Sequence, residues 1–194
     1  MPLGPGVGNS SVKAALEALD LEQAFAPHHI SDRTIAEGCR SAVWLYHDYL
    51  DTSHTISQGI TTETGSYWHA IMHRREPDYP NSKYWFGRAG DHSVFPAIRE
   101  AAAGIAATAT SLPDSATFLT TQSAWDPYAF VDLCKAANFG RTPVGRRTLA
   151  ATTRSLAITL EPDPQEGNGD VPSGTLRITW GEVEYFTKWR MLWP

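Results

Sequence analysis

Ile35, Cys39, Ala42, Val43, Tyr46 and Leu50 recur at the spacing that places apolar side chains on one face of an α-helix. This stripe constrains the fold most, because a helix with one apolar face must bury that face against other elements. Ser31 or Asp32 can cap its start, and the pattern carries it to about Leu50, or to Ser57 if it stays continuous. Prolines and glycines cut the rest of the chain into further helices. Ser10 or Ser11 can cap one over Val12–Leu19. Thr64 or Ser66 opens one over Tyr67–Arg75, which Pro77 ends by pushing the residue before it out of the α region. Ser82–Arg88 closes at Gly90, Ala97–Ala107 follows Pro96, and Tyr128–Asn138 follows Asp126-Pro127, with a loop expected over Leu112–Ser123. The expected fold is mainly α: a small antiparallel helical bundle over residues 11–140, behind a Gly/Pro/Ser leader at 1–10 expected to be disordered.

Residues 141–194 form a weakly specified C-terminal extension. Its β-branched stretches, Ser155–Leu160 and Thr175–Trp180, flank a Pro/Gly/acid loop. Leu176, Ile178 and Trp180 alternate, as do Val183 and Tyr185, which reads either as a β-hairpin turning near Gly181 or as a disordered tail ending in the apolar run Trp189–Trp193.

Composition narrows the function classes. A formal charge of −5 argues against a nucleic-acid partner held by bulk electrostatics. No apolar run approaches the roughly 20 residues a spanning helix needs, and the N-terminus lacks the basic and apolar regions of a signal peptide, so no membrane partner is expected and the cytoplasm is the default location. Cys39 and Cys134 both fall in helical segments and read as reduced, buried thiols.

All seven histidines lie between positions 28 and 92. His69 and His73 are i and i+4, so on a helix their Cβ atoms stand about 5–6 Å apart on one face, close enough for two imidazoles to meet one metal ion. Glu76 follows on the same stripe as a further ligand or a base. On the preceding helix His47, Asp51 and His54 share a stripe if that helix persists. His47 and His54 would be about 10 Å apart along the axis, too far to chelate one ion together. The compact arrangement is therefore Asp51 and His54 facing His69 and His73 across an antiparallel helix pair, with His47 behind them. Mixed His/carboxylate ligation suits a divalent transition metal such as zinc, iron, manganese or nickel. Without a metal, the same groups could serve as a general acid–base pair. His92, in Gly90-Asp91-His92, reads either as a loop ligand or as a turn cap.

Arg74 and Arg75, with Lys83 and Arg88, lie near Tyr67, Trp68, Tyr79, Tyr84, Trp85 and Phe86. Arg74 or Arg75 could hold an anionic group of a small-molecule ligand while Trp85 packs against it. Equally, the arginines could pair with Glu76 and Asp78 while the rings fill the core. No G-x-S-x-G elbow surrounds Ser53 or Ser66, and neither G-x-G-x-x-G nor a P-loop occurs.

The stretch Trp44-Leu45-Tyr46-His47-Asp48-Tyr49-Leu50-Asp51, then Ser53-His54, Tyr67-Trp68-His69-Ala70-Ile71-Met72-His73-Arg74-Arg75-Glu76-Pro77-Asp78-Tyr79 and Asn81-Ser82-Lys83-Tyr84-Trp85-Phe86, resembles a family of uncharacterised bacterial and fungal helical proteins. The resemblance covers roughly residues 35–140 and implies that the His/Arg/aromatic segment is the family's core; it implies no reaction. It also implies a helical, aromatic C-terminus, from which residues after about 141 depart, either as a divergent extension or as the product of a shifted reading frame.

Two functional expectations follow. In one the chain is a metal-dependent enzyme acting on a small molecule by hydrolysis, isomerisation or oxidation. Its metal ligands are His54, His69 and His73, with Asp51 as a fourth ligand or supporting carboxylate. His47 or Glu76 handles protons. In the other the chain is a non-catalytic helical ligand-binding or structural module whose histidines are hydrogen-bonding core groups. RNA binding through the aromatic-basic segment ranks last, given the charge.

Overall fold

A computed structural model of the chain describes residues 4–139 and three strands within 156–186. In the first region short helices follow one another: α1 (Lys13–Glu17), α2 (Leu21–Phe25), α3 (Arg33–Tyr46), α4 (Leu50–Gln58), α5 (Glu63–Arg75), α6 (Tyr79–Ala89), α7 (Phe95–Ala107), α8 (Phe118–Thr121) and α9 (Pro127–Phe139). The protein is mainly helical there, as the apolar spacing predicts. None of the described helices is long and apolar enough to cross a membrane.

Side-chain caps explain several helix starts. Asp32 accepts from the Thr34 and Ile35 amides at 2.8 and 3.3 Å, Thr62 from Gly65 at 3.2 Å, and Asp78 from Asn81 at 3.3 Å. The cap at Thr62 begins α5 four residues earlier than the expected Tyr67. That first turn packs so tightly that a methyl group on Gly65 would run into the Ile60 carbonyl. Gly90 ends α6 in a left-handed conformation, φ 59°. Within Leu112–Ser123, expected as loop, lie a 3-10 turn at Asp114–Ala116 and the single turn of α8.

The largest departure is a break between α3 and α4, where a continuous helix was one reading. The Tyr49 amide donates to the Trp44 carbonyl at 3.0 Å and the Asp48 amide to Leu45 at 3.2 Å, with Asp48 left-handed at φ 66°. This is a Schellman-type helix end, built on an aspartate where glycine is usual. Arg75, 2% exposed, stabilises it from α5, with one Nη1 donating to the Leu45 carbonyl at 2.7 Å and Nη2 paired with the Asp48 carboxylate. The segment Gly4–Ser10, expected to be disordered, lies across this turn. The Asn9 amide donates to the His47 carbonyl, and the Tyr49 hydroxyl to the Asn9 carbonyl, each at 3.0 Å. A Cβ on Gly6 would sit 2.6 Å from the Asp48 carboxylate, so this approach requires the glycine.

α5 is the axis of the bundle, buried on nearly every side. Leu45 of α3, Phe86 and Ala89 of α6, Phe95 and Ala102 of α7, Leu119 of α8 and Val131 and Cys134 of α9 join Ala70, Ile71 and Met72 of α5 in one core. Cys39 and Cys134 are free thiols, half-buried and buried. Ser66, His69, His73 and Arg75 are the buried polar residues of α5, and each needs a partner inside the protein.

The C-terminal strands β1 (Leu156–Pro162), β2 (Gly174–Trp180) and β3 (Val183–Phe186) form an antiparallel meander. Trp180 lies opposite Val183, so the alternation in this stretch corresponds to a hairpin. The connecting loop at 163–173, Gly181 and the run Trp189–Trp193 lie outside the described residues.

Candidate metal centre

α4 and α5 pack side by side, and His54 of α4 meets His69 and His73 of α5. One ring nitrogen from each lies within 4.8 Å of the others. The His54 ring centroid stands 4.7 Å from that of His69 and 5.2 Å from that of His73. His69 and His73 are buried, and His54 is half-buried. The i, i+4 spacing accounts for the pair on α5, and the antiparallel helix contact supplies the third ring.

Hydrogen-bond partners define which nitrogens carry protons. His73 Nδ1 lies 3.1 Å from Glu76 Oε2, and an ionised carboxylate can only accept, so the ring proton sits on Nδ1. His69 Nδ1 lies 3.4 Å from Ser57 Oγ. The Ser57 hydroxyl gives its hydrogen to a carbonyl, Ser53 O at 2.8 Å or His54 O at 3.2 Å, so it can only accept from the imidazole. These partners favour the Nδ1–H tautomer of both rings, which leaves a lone pair on each Nε2. Those two Nε2 atoms are 2.9 Å apart. At that separation the two nitrogens share either an N–H···N hydrogen bond, with the proton on one Nε2, or a cation at the convergence of two lone pairs.

A proton is a poor candidate for that cation at neutral pH. Burial, and then the charges of His73 and His54, lower the His69 pKa to about 4. Burial also lowers that of His73, partly opposed by Glu76 and Asp78. A metal ion suits the geometry better. At a metal–nitrogen distance of about 2.05 Å, nitrogens 2.9 Å apart subtend roughly 90° at the ion, while a tetrahedral pair would be separated by about 3.3 Å. Three imidazoles suit a transition-metal ion; ligands about 2.05 Å from one ion are at most about 4.1 Å apart and these nitrogens lie within 4.8 Å of one another, so the His54 ring would have to close on the pair to bind with it.

The surroundings complete the site. Trp85 of α6 stacks on His69 with centroids 4.1 Å apart, forming an apolar wall, and Arg88 lies over the Trp85 ring at 5.4 Å. Asp78 Oδ2 lies 4.0 Å from His73 Nδ1, behind Glu76. Asn81 brings its side-chain amide to 3.0 Å from His73 Nε2.

Several residues expected at the site lie elsewhere. His47 caps the end of α3 with its ring against Tyr46 at 4.9 Å, because the turn at Asp48 takes it off any stripe shared with His54. Asp51 lies in the first turn of α4, is exposed to solvent and is absent from the ligand group. Arg74 and Arg75 diverge from His73 by about 100° and 200° around the helix. Arg74 lies over the Phe130 ring at 4.9 Å, and Arg75 is committed to the α3–α4 turn, so neither faces the centre. Trp85 and Glu76 do reach it, Glu76 through His73 Nδ1. His92 is a turn cap: its Nδ1 accepts from the Val94 amide at 3.3 Å, its Nε2 meets Thr64 at 3.2 Å, and the ring stacks on Tyr67.

Sequence reasoning missed Ser57 and Asn81. Ser57 had a detectable signal: Ser53 and Ser57 are i, i+4 and fully buried on the inner face of α4, where apolar residues would be expected. Asn81 lies in the first turn of α6, which Asp78 caps and Pro80 opens ahead of the expected start at Ser82.

No protein-family model matches the chain, and neither a curated protein nor a solved structure matches it.

Proposed function

We propose that the chain is a metal-dependent enzyme acting on a small molecule, with a divalent transition metal held by His54, His69 and His73. The observation that carries this reading is the pair of Nε2 atoms 2.9 Å apart on two buried rings, each ring with its own acceptor near Nδ1. Ser57 and Glu76 then fill the role that hydrogen-bond acceptors commonly play behind metal-bound histidines, fixing ring orientation and raising ligand basicity. Three neutral ligands leave the ion's charge uncompensated, so it is a strong Lewis acid with room for water or substrate. Hydrolysis is the reaction class that suits such an ion best. Trp85 provides an apolar surface for the organic part of a substrate, while Glu76, about half exposed, stays on the Nδ1 side of His73, away from the Nε2 that would face the ion.

A non-catalytic reading rests on one observation. The His69 and His73 Nε2 atoms, 2.9 Å apart, are also at the distance of an N–H···N hydrogen bond, which would satisfy both rings without an ion. Elemental analysis of the chain purified without a histidine tag separates the two. The enzyme reading predicts about one transition-metal ion per chain, lost when His69 and His73 are both replaced by alanine. Substoichiometric metal unaffected by that double substitution would favour the non-catalytic module.

A further inference from the structure

The fold commits the cations of the His/Arg/aromatic segment unequally. Arg74 lies over Phe130, Arg75 holds the α3–α4 turn, and Lys83 Nζ pairs with Asp132 at 2.7 Å. Arg88 is exposed, and among the described residues no carboxylate pairs with it. Its guanidinium lies over the Trp85 ring, 5.4 Å from the centroid. Its place on α6 ties it to the centre. Asn81, Trp85 and Arg88 stand at i, i+4 and i+7, on one stripe of the helix. The Asn81 amide lies over the His73 ring, 3.0 Å from Nε2 and 3.5 Å from Nδ1, and Trp85 stacks on His69. α6 therefore runs antiparallel to α5 with this stripe along the two buried imidazoles. Trp85 is half-buried and Arg88 exposed, so the stripe leads from the imidazole pair to water.

We propose that Arg88 binds the carboxylate of an organic substrate whose reacting group sits at the metal centre, with Trp85 against the chain between the two ends. The inference rests on the metal reading above and narrows it to a substrate class, small organic carboxylates. A guanidinium over an aromatic ring keeps its N–H edge free, and that edge matches a carboxylate with two parallel hydrogen bonds. A phosphate dianion would call for a second cation, and the other three of the segment are engaged elsewhere. Trp85 touches both His69 and Arg88, so the breadth of one indole separates the anchor from the centre. A few methylene groups span that gap. A carboxylate held at Arg88 then decides which end of the substrate reaches the ion.

Titration of the tag-free, Co2+-loaded full chain with hydroxamate probes, followed by the visible absorption of the bound ion, tests this. Acetohydroxamate can bind the ion alone. The monohydroxamates of succinic, glutaric and adipic acid carry in addition a free carboxylate at increasing reach. At least one of these three should bind about fivefold more tightly than acetohydroxamate, the worth of a well-formed exposed ion pair. Arg88→Gln should remove that preference while acetohydroxamate binds as before, and Arg88→Lys, which keeps the charge, should retain part of it. Equal binding of all four probes by wild type would overturn the proposal and leave the three-histidine centre in place. A preference that survives Arg88→Gln would do the same, because the carboxylate would then be held by another group. A wild-type chain that takes up no Co2+ would remove the metal reading and this inference together.

Discussion

Acidification should destabilise the metal-free protein through His69. Its pKa is about 4 in the fold against 6.5 in the unfolded chain, because burial and the neighbouring imidazoles disfavour its cation. The fold thus prefers the neutral ring. Stability is complete above pH 6.5 and declines as the pH falls toward 4, where the unfolded chain is protonated and the folded one is not. The difference, about 2.5 pKa units at 1.36 kcal/mol each, gives about 3 kcal/mol once the decline is complete. His73 and His92 are displaced in the same direction by burial and add to the decline. Urea unfolding of the chelator-treated chain, repeated from about pH 7.5 to 4, measures this, with His69→Gln as the comparison. Carboxylates contribute equally to both proteins, so the wild type should lose about 3 kcal/mol more than the variant across that range. Parallel stability profiles would refute the reasoning, since they would mean that the His69 ring is as easily protonated in the fold as outside it.

Other parts of the account are open to substitution. Arg75→Ala leaves the Asp48 carboxylate and the Leu45 carbonyl without their guanidinium and should cost about 3–5 kcal/mol in urea unfolding. A cost below about 1 kcal/mol would mean that the α3–α4 turn holds without it. Asp51→Ala should leave metal affinity unchanged in an equilibrium titration, and a marked loss would return Asp51 to the ligand set. Ser57→Ala removes the acceptor for His69 Nδ1–H and should weaken metal binding by about tenfold with a small effect on unfolding. Unchanged affinity would show that Ser57 does not hold the ring.

The helical class and the heart of the site were legible because both depend on local periodicity. The spacing of His69 and His73 fixes them on one face whatever the helix packs against, and a short connection makes α4 and α5 antiparallel neighbours. What was not legible depends on tertiary partners. Asp48 takes a left-handed conformation beneath a guanidinium 27 residues away, and the resulting break separates His47 from His54. Arg74 and Arg75 looked like a ligand clamp beside the histidines, but helical rotation turns them from His73 toward Phe130 and Asp48. The central burial of α5 was hidden for a related reason: a helix carrying histidines and an arginine among its buried positions lacks a clear apolar stripe. Asn81 was missed because only the packing of α6 on α5 brings its amide to His73.

The central claim is that His69 and His73 present unprotonated Nε2 atoms to one another. Long-range proton–nitrogen NMR of the imidazoles, recorded on metal-free protein at neutral pH, reads the tautomers directly. Both rings should carry their single proton on Nδ1, and addition of one equivalent of Zn2+ should shift both Nε2 resonances together. A proton on Nε2 of either ring, or Nε2 resonances that ignore Zn2+, would contradict the account.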